Sequence, residues 1–257
     1  PYQYAVVALC CFANIADGFD VVSLALAAPV LMAEWEMSPA VLGTLFSAAA
    51  VGLTVGAFLV APMADRFGRR PIMLMALCTL MLTMLLTSAV QEVWQLMILR
   101  FVTGIALGTL VVCLNTTVAE VASEKMRNMC LAIMHTGFTL GMIVGSGIAA
   151  LVLEPVGWRA IFLAAGILNA VTFLTAVFLL NESPTFLATR RKAADLLHLE
   201  RIGARMRIPN LAELVSPIAK RGRQGSGSAF KTLLTGDLRR RSILIWTASL
   251  TYAVVGY

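Results

Sequence analysis

The sequence predicts an all-α membrane protein: a six-helix transmembrane bundle with the start of a seventh helix after it. Three observations carry this reading. Of 257 residues, 59% are hydrophobic and only 13% charged, with a mean hydropathy of +0.85. A soluble domain carries roughly one-quarter charged residues to face water, and a disordered chain is less apolar still. Six apolar runs each reach the roughly twenty residues needed to cross about 30 Å of hydrocarbon. They do not alternate every second residue, which argues against a β-barrel. The connections between them alternate between acidic or neutral and strongly basic, as the loops of a multi-pass bundle do.

The spans follow in order. Span 1 covers residues 4–33 and must include Asp17 and Asp20, because the apolar stretch 21–33 is too short to cross alone. Span 2 covers 40–64, after a polar turn, and span 3 covers 71–90, after Arg66, Arg69 and Arg70. Span 4, residues 93–121, contains Arg100, the one basic residue inside a span. Span 5 covers 129–153, and span 6 covers 160–180. A seventh run, 242–257, is too short to cross. Pro1 stands just before span 1 without the basic, apolar and small-residue layout of a signal peptide. The chain reads as a piece of a longer protein.

Charge sets the topology. The connections 34–39, 91–92 and 154–159 hold one basic residue between them, Arg159. The alternate connections hold Arg66, Arg69, Arg70, Lys125 and Arg127, and the long segment 181–241 adds thirteen more. Lys and Arg mark the cytoplasmic side. The N-terminus and the 181–241 loop are therefore expected inside, in a plasma membrane of the bacterial inner-membrane type. The net charge of +6 belongs to topology. Nucleic acid is not an expected partner, since that would need basic residues interleaved with aromatics on one face. Three parts follow: a bundle over 1–180, a cytoplasmic connector over 181–241, and the truncated start of a second bundle over 242–257. Within the connector, 193–206 reads either as a short helix on the membrane surface or as a loose linker. Residues 222–227 read as flexible by composition.

Several residues need a reason to lie in a membrane. Asp17 falls near the bilayer midplane, with Asn14 and Asp20 one turn to either side on the same face. An ionised carboxylate at that depth costs several kcal/mol unless it is paired, hydrated or protonated. Such a pair suits proton pickup and release; the bland alternative is a structural hydrogen-bonded pair. Arg100 either snorkels outward or faces inward to pair with Asp17 or Asp20 or to hold a carboxylate. Glu120, seven residues before Arg127, reads most simply as a loop ion pair. His135 reads as a core histidine or a proton relay. Glycines at four-residue spacing (Gly52/Gly56, Gly104/Gly108 and Gly137/Gly141/Gly145) let helices approach closely, in static packing or along a sliding seam between bundles. The scattered cysteines Cys10, Cys11, Cys78, Cys113 and Cys130 have no metal or disulfide spacing and read as filler.

The segment Ala61-Pro62-Met63-Ala64-Asp65-Arg66-Phe67-Gly68-Arg69-Arg70 resembles the cytoplasmic motif of the major facilitator superfamily, with Ala61 where glycine usually stands. Arg100 through Gly108 resembles the span-4 motif, and Gly157-Trp158-Arg159 and Glu182-Ser183-Pro184 are also typical. Asp17-Gly18-Phe19-Asp20 followed by Pro29 resembles the aromatic acid:proton symporters, with Ala25 in place of a usual glycine. The resemblance implies the N-terminal half of a twelve-helix fold. It implies proton coupling by Asp17 and Asp20, and substrate binding or charge pairing at Arg100 and Asn14. It further implies a conformational latch of Asp65, Arg66, Gly68, Arg69, Arg70, Glu120 and Arg127.

The expected activity is proton-coupled import of an organic, aromatic carboxylate by alternating access, without enzymatic chemistry. The proton gradient supplies the energy, so no cofactor or metal is expected. Expected partners are the lipid bilayer, the small organic anion and a second six-helix half. An exporter of drugs or metabolites is the alternative, disfavoured because span 5 lacks the Gly-Pro step of drug antiporters. An intramembrane aspartyl enzyme would need its two acids on facing helices, and a sensor would have no need of buried carboxylates.

Overall fold

The computed structural model describes residues 2–182 together with 243, 244 and 247. The sequence-based expectations for a surface helix at 193–206, a linker at 222–227 and nearly all of the connector and seventh helix lie outside the described residues.

All six spans are helices of membrane-crossing length and apolarity. They are α1 (Tyr2–Glu34), α2 (Pro39–Phe67), α3 (Arg69–Thr87), α4 (Val93–Val121), α5 (Arg127–Val156) and α6 (Trp158–Leu179). Several run past the expected ends because polar residues such as Glu34 and Asp65 extend the helices beyond the apolar run. Two turns are a single glycine. Gly68 (φ 104°) joins α2 to α3, and Gly157 (φ 92°) joins α5 to α6. Both angles are ones that L-residues with a Cβ rarely adopt. A Cβ on Gly157 would meet nothing, so the backbone angle alone calls for glycine there.

α2 is not uniform. Ser38 caps its start, its hydroxyl accepting from the Val41 amide at 3.4 Å, and Pro39 occupies the first turn. Near its far end the helix widens to a π-turn over Gly56–Val60 and then tightens to a 3₁₀ turn over Ala61–Met63. Pro62 has no N–H to donate, and its ring crowds the preceding turn. The irregular turns re-route the backbone bonds, with the Ala61 amide donating back to the Gly56 carbonyl.

Packing follows an internal twofold pattern. α1 packs on α5 and α6, α4 packs on α2 and α3, and α3 meets α6. Exchanging α1–α3 with α4–α6 maps this set of contacts onto itself. The glycine rows explain the two tightest seams. A Cβ on Gly56 or Gly108 would overlap the carbonyl of Ile105 or Leu53 across the α2–α4 contact. One on Gly18 or Gly141 would overlap the carbonyl of Phe138 or Ile15 across α1–α5. In lipid, where apolar side chains gain little by leaving the solvent, such backbone approach is a main source of association. These glycines therefore pack helices within one bundle.

The interior divides into two apolar clusters. One, containing Cys10, Leu77, Leu110, Leu114 and Met134, lies toward the end that carries Arg66, Arg69 and Arg70, here called the basic end. The other, containing Phe19, Leu31, Leu45, Leu96, Trp158 and Phe162, lies toward the opposite end. Cys10 and Cys113 fill the first cluster, and all five cysteines are free.

Candidate functional site

Between the two apolar clusters runs a buried polar layer. α1 contributes Asn14, Asp17, Asp20 and Ser23; α3 contributes Thr83 and Thr87; α4 contributes Arg100 and Thr103; α6 contributes Asn169 and Thr172. All but Thr87, which follows Met84 at the end of α3, fall along their own helix between members of the two clusters. Buried on four helices, these polar groups face the bundle interior rather than lipid, with Asn169–Asp20 and Arg100–Thr87 bonding across helices.

Asp17 and Asp20 are 0% and 2% exposed. Asp20 accepts from the Asn169 amide of α6, whose nitrogen lies 3.0 Å and 2.8 Å from its two carboxylate oxygens. Asp17 is different: both carboxylate oxygens are buried without a hydrogen-bond partner among the described residues. A buried carboxylate left unpartnered is costly when charged, so the group needs a proton, water or a cation that arrives in another state.

Arg100 is 3% exposed, so it faces inward and does not snorkel. Its Nη2 donates to the Thr87 hydroxyl at 3.0 Å and lies 3.5 Å from the Met84 sulfur, while the guanidinium sits 5.1 Å from the centre of the Phe162 ring. Its Nε has no partner among the described residues. The ion pair with Asp17 or Asp20, one of the alternatives open to an inward-facing Arg100, is not formed: no N–O distance of 4.0 Å or less joins them among the described residues. A guanidinium held by a hydroxyl and an aromatic face retains donors for a further acceptor.

Asn14 is buried, but its amide donates to the Met134 carbonyl of α5 at 2.7 Å. It ties α1 to α5 rather than pairing with a charge. His135 is exposed on α5, not a core histidine, and its Nε2 lies 2.9 Å from Asn115 Oδ1 of α4. It makes no contact with the aspartates, so the relay has no path among the described residues.

At the basic end, Arg69 binds Glu120 at 2.6 Å, linking the start of α3 to the end of α4, and reaches Asp65 at 3.8 Å. Glu120 thus pairs across the bundle instead of with Arg127, which is exposed. The spatial reason is that α3 and α4 pack together, bringing Arg69 closer than the loop neighbour. The Arg69 and Arg70 amides donate to Glu182 Oε1 at 2.8 Å and 3.2 Å, and Arg70 Nη2 donates to the Val177 carbonyl at 3.0 Å. Gly68 supplies the turn that exposes those amides. Arg66 is exposed and stands apart from this cluster.

At the opposite end, the Glu34 carboxylate accepts from Trp158 Nε1 at 2.6 Å and from Arg159 Nη1 at 3.0 Å. Trp158 is buried edge-to-face on Trp35 and Phe162, at centroid distances of 5.5 Å and 5.8 Å. Phe162 is also the ring beside Arg100, so this clamp reaches the polar layer.

Sequence reasoning missed Asn169, Thr87 and Asn115 as partners. Asn169 had one signal, a lone amide in the apolar run of span 6. Among the described residues no group of three His, Cys, Asp or Glu side chains is gathered to hold a metal ion.

The Major Facilitator Superfamily model matches residues 10–257. The gallate transporter of Pseudomonas putida is 35% identical over 206 residues, covering 79% of this chain and 46% of that protein. The 4-hydroxybenzoate transporter PcaK of Pseudomonas putida is 30% identical over 259 residues, covering 100% of this chain and 57% of that protein. The chain thus spans about half the length of the curated relatives it matches. The proton:xylose symporter XylE, bound to 6-bromo-6-deoxy-D-glucose, superposes with a TM-score of 0.77 at 18% identity, over 91% of this chain and 55% of that one. That likeness is one of fold. With six membrane-length helices in this arrangement and a family match over nearly its whole length, the chain is a multi-pass membrane protein of the major facilitator superfamily, matching the N-terminal half of its fold.

Proposed function

We propose that this chain forms the N-terminal half of a proton-coupled symporter that imports an aromatic carboxylate by alternating access. The observation that carries the reading is the buried Asp17 carboxylate, left without a partner in a layer that also holds Asp20 and Arg100. A structural pair would satisfy its own hydrogen bonds. A proton carrier must instead be able to exist with and without its charge.

In this mechanism, protons enter from the outside and neutralise Asp17 and Asp20, removing charge that the layer leaves unpaired. The organic anion binds between this bundle and a second six-helix half, at mid-membrane depth. Arg100, with guanidinium donors to spare, offsets the negative charge of the substrate or of the aspartates. Asn169 steadies Asp20 when it is ionised. Rocking of the halves then opens the site to the cytoplasm, where substrate and proton leave. The cluster Arg69–Glu120–Asp65, with Gly68, Arg70 and Glu182, forms a latch at the cytoplasmic end, and Arg66 and Arg127 add positive charge there. The N-terminus is cytoplasmic, the proton gradient is the energy source, and the protein performs no enzymatic step. The names of the gallate and 4-hydroxybenzoate transporters support an aromatic acid as cargo.

The test is uptake into proteoliposomes by protein carrying both halves, under an inward proton gradient. Wild type is expected to concentrate 4-hydroxybenzoate or benzoate, and Asp17→Asn and Asp20→Asn to lose that accumulation. Variants that concentrate these acids as well as wild type would overturn the coupling role. Arg100→Gln with unchanged affinity and pH profile would overturn its anion role.

A further inference from the structure

We propose that His135 and Asn115 form a binding site for the ring hydroxyl of a hydroxylated aromatic acid, an inference that rests on the transport reading above. His135 lies eight residues into α5 and Asn115 six residues before the end of α4. At 1.5 Å per residue the two are about 12 Å and about 9 Å from the basic end, at matching depth inside the membrane. Their hydrogen bond joins α4 to α5, two helices that pack chiefly on other partners, α5 on α1 and α4 on α2 and α3.

The surface around the pair carries polar side chains that α3 and α6 do not expose. On α3 and α6 the exposed residues are apolar, among them Met75, Leu82, Leu86, Ile167, Leu174 and Phe178. On α5, exposed His135 is flanked by exposed Thr136 and Thr139, beside exposed Ile133 and Leu140. An imidazole–amide pair facing hydrocarbon at this depth would be costly. It belongs against a water-filled cavity or its contents.

The hydrogen-bond inventory then selects the ligand group. Asn115 Nδ2 donates to the Val111 carbonyl at 2.8 Å, which turns its Oδ1 toward the imidazole. His135 Nε2 therefore donates to that oxygen at 2.9 Å. In the neutral ring the other nitrogen, Nδ1, is an acceptor. It has no hydrogen-bond partner among the described residues and sits on the exposed side chain. The complement of an oriented acceptor is an O–H donor, and a ring hydroxyl supplies one on an otherwise flat, apolar body. A bare carboxylate does not. Asn115 acts as the positioning residue that fixes the ring, and His135 makes the contact.

The experiment measures KM for 4-hydroxybenzoate and for benzoate in proteoliposomes of protein carrying both halves, under one proton gradient. Wild type is expected to favour the hydroxylated acid about tenfold, the scale of one hydrogen bond. His135→Leu removes the Nδ1 acceptor and puts no other in its place, and its KM ratio is expected to approach one. Asn115→Leu, which frees the ring, is expected to lower the ratio in the same direction. A ratio near one in wild type, or a wild-type ratio in His135→Leu, overturns the site. If His135→Leu transports neither acid, equilibrium binding of each radiolabelled acid to the solubilised protein supplies the ratio. Selective loss of the hydroxylated acid supports the site, and equal loss of both overturns it. Failure of wild type to transport either acid defeats the transport reading itself. Normal transport of both acids with an unaltered ratio in His135→Leu defeats only the hydroxyl site.

Discussion

Removing the Glu34 carboxylate should loosen the end of the bundle opposite the basic loops. Glu34→Ala leaves the Trp158 indole N–H without its acceptor, in a side chain only 1% exposed and enclosed by Trp35 and Phe162. An orphaned donor of this kind costs about 1–3 kcal/mol. The Arg159 arm adds little, because both partners are about two-fifths exposed, and exposed ion pairs contribute about 0–1 kcal/mol. The expected loss is therefore about 2 kcal/mol, or about 4–8 °C in melting temperature for a unit of this size. Glu34→Gln keeps an acceptor for the indole and should lose less than half of that. Thermal melting of the detergent-solubilised protein, followed by tryptophan fluorescence, measures both shifts. An alanine variant that melts within a degree of wild type, or a glutamine variant that melts as low as alanine, would refute the reasoning. The first would mean the indole finds another acceptor, and the second that charge rather than hydrogen bonding matters.

Two further outcomes follow from the packing and the polar layer. Gly108→Val places side-chain atoms where the Leu53 carbonyl of α2 lies, so the α2–α4 seam must part; the variant should lose most monodisperse protein in size-exclusion chromatography, whereas Gly147→Val, where a Cβ meets nothing, should not. Asn169→Leu removes both contacts to Asp20, and hydrogen bonds to charged groups contribute about 1.5–3 kcal/mol, so proton-driven uptake should fall about tenfold or more. Undiminished uptake by Asn169→Leu would show that Asp20 does not depend on this amide.

The six spans were legible because length and apolarity alone determine what can cross a bilayer. Asp17 and Asp20 were legible as interior residues for the same reason, since charge at that depth has few places to go, whereas Arg100 was open to snorkelling outward or facing inward. Their partners were not. Asp20 meets Asn169 from a helix 149 residues away in sequence, and Arg100 meets Thr87 through the α3–α4 contact. Such pairings depend on which helices pack together, which span-by-span hydropathy does not encode. The same limit hid the Arg69–Glu120 pair behind the simpler loop pairing with Arg127. The broken regularity of α2 had a local signal in Pro62, but its form, a π-turn opening at Gly56 against the Ile105 carbonyl of α4 and followed by a 3₁₀ turn, had none.

The depth of Asp17 also concerns voltage. It is the sixteenth of the 33 residues of α1, close to the middle of the membrane helix. If the proposed coupling holds, a proton that reaches it has traversed about half of the transmembrane field, and a potential of 100 mV contributes about 1.2 kcal/mol to that step. The remaining half acts only when the proton leaves on the other side. Loading and release would then draw almost equally on the electrical gradient; because an anion crosses with the proton, net transport should respond to membrane potential at equal pH only if more than one proton accompanies each monovalent anion.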